Sequence, residues 1–188
     1  MPDVGDMNGE IGLPPLFPIR GFEGSTADYL NELYAQYQRV VGVAGVRLWD
    51  KPVVSAGRQG ADGRDKRFWH IITDVSRDCG PRRGLILERC AWLPRCLSVL
   101  EAFAADEAHC VSWRGENKEL HVVSLDFRVH AVLRETGATF MLVTAYPVDS
   151  ADRAGRLMAR AAAFWSSGRS VRTRRKTAPR LLESVVTA

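Results

Sequence analysis

The sequence predicts an α+β domain, with N-terminal helices packed on a four- to five-stranded antiparallel sheet and a C-terminal helix closing it. Three observations carry this. A capped helical stripe opens near Ser25, four short strand-like runs joined by hairpin-length turns fill residues 110–148, and a capped stretch follows to Trp165. With 46% apolar and 26% charged residues, the 188-residue chain can bury a core as one domain with tails, which excludes wholesale disorder.

Taken in order, residues 1–24 hold four of the nine prolines and read as an extended, acidic arm. Ser25 or Thr26 caps a helix to about Val41, because Tyr29, Leu30, Leu33, Tyr34, Tyr37, Val40 and Val41 follow helical spacing. The three tyrosines on that stripe are expected to pack the core. A short β stretch covers Val46 to Ser55, and a glycine-rich charged loop runs from Gly57 to Lys66.

Arg67 to Thr73 either alternates as a strand or opens a helix; as a strand it puts Phe68, His70 and Ile72 on one face. Asp74 to Gly84 reads as a polar loop. Leu85–Cys90 and Leu97–Ala105 suit helix, with a break or kink at Trp92-Leu93-Pro94, since proline lacks the amide a helix interior needs. Strands are expected at Cys110–Arg114, Glu119–Leu125, Val129–Arg134 and Thr139–Val148, with turns at Gly115-Glu116-Asn117 and Thr136-Gly137-Ala138. Asp149 or Ser150 caps the last helix. The working division is an arm over 1–24, a domain over 25–165 and a basic flexible tail over 166–188.

Charge is unevenly spread. Six of the 26 basic residues follow Ser166 (Arg169, Arg172, Arg174, Arg175, Lys176, Arg180) against the single acid Glu183. Residues 1–165 therefore hold 20 basic and 21 acidic groups, a net charge of −1. The basic isoelectric point belongs to the tail, and a nucleic-acid site on the domain must rest on local arginines. No run of ~18 apolar residues calls for a membrane span. The first 20 residues lack the order of a signal peptide, so the chain is expected in the cytoplasm. Cys79, Cys90, Cys96 and Cys110 are then reduced. They form no Cys-x-x-Cys pair, and neither a metal nor a cofactor is expected.

Two segments stand out chemically. Phe68-Trp69-His70-Ile71-Ile72 and Leu142-Val143-Thr144-Ala145-Tyr146-Pro147-Val148 each set polar groups in an apolar run. Alternation places Phe140, Leu142, Thr144 and Tyr146 on one strand face, and Arg128, His130, Val132 and Arg134 on one face of another. A histidine, arginines and two hydroxyls are what metal-free RNA cleavage requires. The 2′-hydroxyl attacks the adjacent phosphorus, one group takes a proton, another returns one, and cations stabilise the phosphoryl oxygens. His70 suits proton transfer, and Arg89 suits bidentate phosphate binding. Each also has a bland reading as a core histidine, ordinary strand formers and a solvated Glu88-Arg89 pair.

Five segments in order resemble toxin-like bacterial proteins of the barnase–EndoU–colicin–RelE nuclease fold, phage-type branch. They are Tyr29-Leu30 to Tyr34; Phe68 to Ile72 after an Asp62-Gly63 turn; Glu88-Arg89-Cys90-Ala91-Trp92; Trp113 with Glu116 to Glu119; and Leu142 to Val148 before the basic stretch Arg153 to Arg160. The resemblance spans roughly residues 26–165. It departs at Trp92-Leu93-Pro94-Arg95, where members usually carry Arg-Pro two residues after the tryptophan. What it implies is a barnase/RelE-like fold and a metal-independent endoribonuclease, the toxin of a toxin–antitoxin pair. His70, Arg89, Arg134, Thr144 and Tyr146 are the expected catalytic set. Trp92, Trp113 and Arg128 are expected to bind substrate, and the expected partners are RNA and a cognate antitoxin protein. The other readings are a non-catalytic RNA- or protein-binding module of the same fold, or another enzyme using the same cleft. No Walker or dinucleotide-binding glycine motif is present.

Overall fold

The computed structural model describes residues 15–42, 44–55, 58–73, 84–105, 110–169 and 171. Most of the Asp74–Gly84 loop, Cys79, His109 and most of the arm and tail lie outside them.

Helix α1 spans Thr26–Val40 and starts as the sequence predicts. Ser25 is the N-cap in a capping box, accepting from the Asp28 amide at 3.2 Å while its own amide donates to the Asp28 carboxylate at 2.9 Å. Tyr29, Leu33, Tyr37 and Val40 form its buried stripe. Phe17 stacks on Tyr29 with ring centroids 5.1 Å apart, and the Tyr29 hydroxyl donates to the Phe17 carbonyl at 2.7 Å. The described end of the arm therefore lies on the core. Ser25→Ala should cost roughly 1 kcal/mol of stability, read as a lower urea midpoint with unchanged slope.

Strands β1 (Arg47–Leu48) and β2 (Lys51–Val54) pair as a hairpin. Helix α2 spans Lys66–Ile72 and α3 spans Leu87–Ala105. Strands β3 (Cys110–Arg114), β4 (Glu119–Ser124), β5 (Val129–Thr136) and β6 (Thr139–Pro147) follow. Helix α4, Ala151–Ser166, closes the fold with Ser150 as N-cap. The strand order is β1-β2-β6-β5-β4-β3.

The fold class is α+β, but the sheet is mixed and has six strands. The departure from an antiparallel sheet of four to five strands is β2, which pairs parallel to β6 through Val53↔Phe140 and Val54↔Met141. Hairpin turns are local and legible; a parallel pairing across α2 and α3 has no local signature. The segment open to two readings, Arg67 to Thr73, is a helix. Asp65 caps it by accepting from the Arg67 amide at 2.7 Å, and Phe68, Ile71 and Ile72 form the buried face. Period 3.6 thus replaces period 2, and His70 is off the core face.

Of the break or kink expected at Pro94, the break does not occur. Pro94 sits inside α3, which buries Leu93, Leu97, Leu100 and Phe103 among others. An interior proline costs about 3 kcal/mol, while burying four large apolar side chains contributes roughly 1.5–3 kcal/mol each.

Helix α3 covers one sheet face. The Cys110 thiol lies 3.6 Å from the Val99 carbonyl, and Phe103 packs on Trp49, which packs on Phe140. Cross-strand pairs share a face, so Leu120, Leu133, Phe140 and Leu142 belong to this α3 side. Trp113, His121, His130 and Tyr146 belong to the other, which α4 approaches. Trp165 donates its indole N–H to the Ser112 carbonyl at 3.0 Å, and the Arg153 guanidinium lies 4.3 Å from the Tyr146 ring centre. Beyond α4, Val171 is buried at 1% exposure. Among the described residues no helix is long and apolar enough to cross a membrane.

Candidate active site

β2 accompanies β6 only at Phe140 and Met141. Farther along β6 its place is taken by α2, whose Arg67 guanidinium donates to the Val143 carbonyl at 2.9 Å. A cleft of about 520 Å³ lies here, lined by His70 and Ile71 of α2, Ile86, Glu88 and Arg89 around the start of α3, Thr144 to Pro147 of β6, and Asp149 and Arg153 at the start of α4. It collects His70, Arg89, Thr144 and Tyr146 from separate parts of the chain.

The aim of Thr144 and Tyr146 depends on a β-bulge. The register shifts so that Leu142 pairs with Leu133 but Thr144 pairs with Val132, leaving Val143 as the extra residue. A single extra residue re-phases a strand. Phe140 and Leu142 are buried before it and Ala145 after it, while Thr144 and Tyr146 are only half-buried. The expectation of one continuous face from Phe140 to Tyr146 is corrected accordingly. The bulge sets Tyr146 opposite His130.

Tyr146 is closely held. Its hydroxyl lies 2.6 Å from Nδ1 of His130, whose Nε2 lies 3.0 Å from Nδ1 of His121. The His121 Nε2 lies 3.9 Å from a Glu119 oxygen, and Glu119 also receives Arg134 at 3.0 Å. Trp113 stacks on His121 at 4.8 Å between ring centres. One face of the Tyr146 ring is taken by Arg153, whose guanidinium lies 4.3 Å from the ring centre.

Arg89 donates to the Thr73 carbonyl at 3.3 Å, and a guanidinium with five N–H donors keeps others for a ligand. Arg153 lies 3.7 Å from Asp149 and also lines the cleft. The cleft is thus a mixed field, with two arginines and a histidine against Glu88 and Asp149.

The other expected site residues fall elsewhere. Arg134 pairs with Met141, before the bulge, and is tied to Glu119. Trp113 is buried under His121, where it cannot meet substrate without unpacking. Trp92 lies on α3 with the Arg95 guanidinium 5.3 Å from its ring centre. Arg128 is exposed between β4 and β5, 3.9 Å from Asp126. None of the four lines the cleft. Conversely, His121 and Arg153 were not expected as site residues, and His130 was placed on a strand face without a role. Arg153 could have been found from its place three residues after the Ser150 cap.

Burial, reinforced by the positive charges of His121, Arg153 and Arg160, pushes the His130 imidazole down to about 3. Burial lowers His121 as well, against the opposing pull of Glu119 and with help from Arg160. Cys90, Cys96 and Cys110 are buried thiols, and burial pushes Cys90 up to about 11, which makes it a poor nucleophile. Among the described residues no group of three or more His, Cys, Asp or Glu side chains is placed to hold a metal ion. No family model, curated protein or solved structure matches the chain.

Proposed function

We propose that this chain is a metal-independent endoribonuclease of the barnase/RelE-like toxin type, cleaving RNA by 2′-hydroxyl attack to leave a 2′,3′-cyclic phosphate. The observation that carries the reading is the cleft itself. It gathers an imidazole, two guanidinium groups, a threonine hydroxyl and a phenol where the resemblance anticipates polar site residues. His70 serves as general acid or base. Arg89 stabilises the phosphoryl oxygens, and Arg153 takes the part expected of Arg134. Thr144 and Tyr146 position the scissile phosphate. A charge-stabilising donor of this kind is worth about 10²–10³ in rate. Such activity in the cytoplasm endangers the host, so the reading includes a neutralising antitoxin protein as partner.

The test is total bacterial RNA incubated with the purified full-length chain in EDTA, with product ends mapped. Discrete fragments ending in 2′,3′-cyclic phosphate are expected. Absence of cleavage by clean, folded protein would overturn the enzyme reading in favour of a non-catalytic binding module.

A further inference from the structure

The RNA cleavage chemistry needs two proton-transfer groups, and His70 supplies one. From the hydrogen-bonded row Tyr146–His130–His121–Glu119, we infer that Tyr146 is the second, a proton acceptor whose capacity comes from a two-histidine relay behind it. This rests on the ribonuclease reading and assigns the base within that same cleft.

The argument starts from proton counting. Both nitrogens of His130 are engaged, Nδ1 with the Tyr146 hydroxyl at 2.6 Å and Nε2 with His121 at 3.0 Å. A neutral imidazole carries one N–H, so the row has two arrangements. In the first, Tyr146 donates to His130 Nδ1, and His130 donates from Nε2 to His121 Nδ1. His121 then bears its proton on Nε2, toward Glu119 at 3.9 Å. The phenol proton points toward His130, which leaves a lone pair on the oxygen of a residue that lines the cleft. In the second, His121 donates from Nδ1 to His130, His130 donates from Nδ1 to the phenol oxygen, and the phenol proton turns outward. A neutral His121 would then set its Nε2 lone pair against the Glu119 carboxylate. A doubly protonated His121 instead points an N–H at it. The two arrangements therefore differ by one proton, held on His121.

The surroundings fit that division. His121 is half-buried, stacked on Trp113, with Glu119 favouring its charge and Arg160 opposing it. Glu119 is itself held by Arg134. His130 is 2% exposed and faces the positive charges of Arg153 and Arg160, so it passes a proton without keeping one. Gly115 makes room for the ring, since a Cβ there would stand 2.5 Å from His121 Nε2. With both imidazoles shifted downward, the resting state at neutral pH is the first arrangement, which is ready to accept.

The step balances. The substrate 2′-hydroxyl gives its proton to the Tyr146 oxygen as that oxygen's own proton passes to His130 Nδ1 and the His130 Nε2 proton passes to His121 Nδ1. The 2′-oxygen forms its bond to phosphorus, the bond from phosphorus to the 5′-oxygen breaks, and protonated His70 gives that oxygen a proton. His121 ends as imidazolium beside Glu119 and returns its extra proton to solvent. Tyr146 touches the reacting atom; His130 and His121 act through it.

The experiment reads imidazole nitrogens by ¹⁵N NMR on the full-length protein without RNA. On acidification His121 should gain a proton on Nδ1, and His130 should move its proton from Nε2 to Nδ1 over the same pH range while staying neutral. A His130 tautomer that never changes overturns the relay. Kinetics form the second arm. His121→Phe keeps a ring against Trp113, and should lower kcat about 10²-fold with KM unchanged and remove the acid limb of the pH–rate profile. Wild-type kcat and profile in that folded variant overturn the inference. The tautomer switch in a protein that cuts no RNA overturns the ribonuclease reading and with it the assigned base. Cleavage without the switch overturns the relay alone.

Discussion

Replacing His70 by alanine should lower cleavage by about 10²–10⁴-fold, the usual worth of a positioned acid or base, while leaving the fold intact. The structural half of this expectation follows from α2. Its buried residues are Phe68, Ile71 and Ile72, and its cap is Asp65; His70 belongs to neither set. It is half-buried and faces the cleft, so truncation removes an imidazole without opening a core cavity. The control is Phe68→Ala, which removes a fully buried ring and should cost roughly 3–5 kcal/mol. Activity and urea unfolding measured side by side separate the two. His70→Ala loses rate out of proportion to any change in midpoint, whereas Phe68→Ala loses midpoint. Full cleavage by His70→Ala would remove the imidazole from the mechanism.

What the sequence made legible was local. A cap at Ser25 or Thr26, the α1 stripe, the β3–β4 and β5–β6 hairpins and a cap at Asp149 or Ser150 all depend on neighbours within a few residues, and the structure agrees, with Ser25 and Ser150 as the caps. The misread or undecided features are those where distant contacts decide. Arg67 to Thr73 stayed open between strand and helix, since Phe68 and Ile72 satisfy both; Ile71, buried at 3%, decides for the helix only because something covers it. Pro94 stays helical because the core on α3 outweighs a lost amide. The parallel pairing of β2 with β6 joins segments far apart in the chain.

The candidate site divides along the same line. His70, Arg89, Thr144 and Tyr146 meet in the cleft, but His130 could not be joined to Tyr146 in advance. That pairing exists only through the extra residue at Val143. Val143 is an ordinary strand residue, so nothing in its identity marks a bulge. Regular alternation would have sent Thr144 and Tyr146 to the α3 side with Leu142. Arg134 looked available because its face was right; its counter-ion, Glu119, lies on the neighbouring strand.

The row behind Tyr146 also sets how the fold responds to acid. His130 takes up a proton near 6.5 in the unfolded chain but only near 3 in the native protein. Between those values the unfolded state binds more protons, so stability rises with pH. The contribution is fully present above about 6.5 and is lost as pH falls toward 3. The depressed His121 adds to the loss in the same direction. At roughly 1.4 kcal/mol per pH unit for one such group, wild-type stability should drop by about 2–3 kcal/mol between pH 6.5 and 4.5 on account of His130 alone. Carboxylates also titrate at the lower end, and Glu135, held low chiefly by its hydrogen bond from Lys51, loses stability in the same sense. The comparison that isolates the imidazole is therefore His130→Phe. It keeps a ring beside Trp113 and cannot take up a proton, and its urea midpoints should fall less steeply over that range. Parallel slopes in wild type and variant would mean that His130 is protonated as readily in the folded protein as in the unfolded chain. The hydrogen bonds His130 makes with Tyr146 and His121 would then not be those of a neutral imidazole, and the relay would lose its central member.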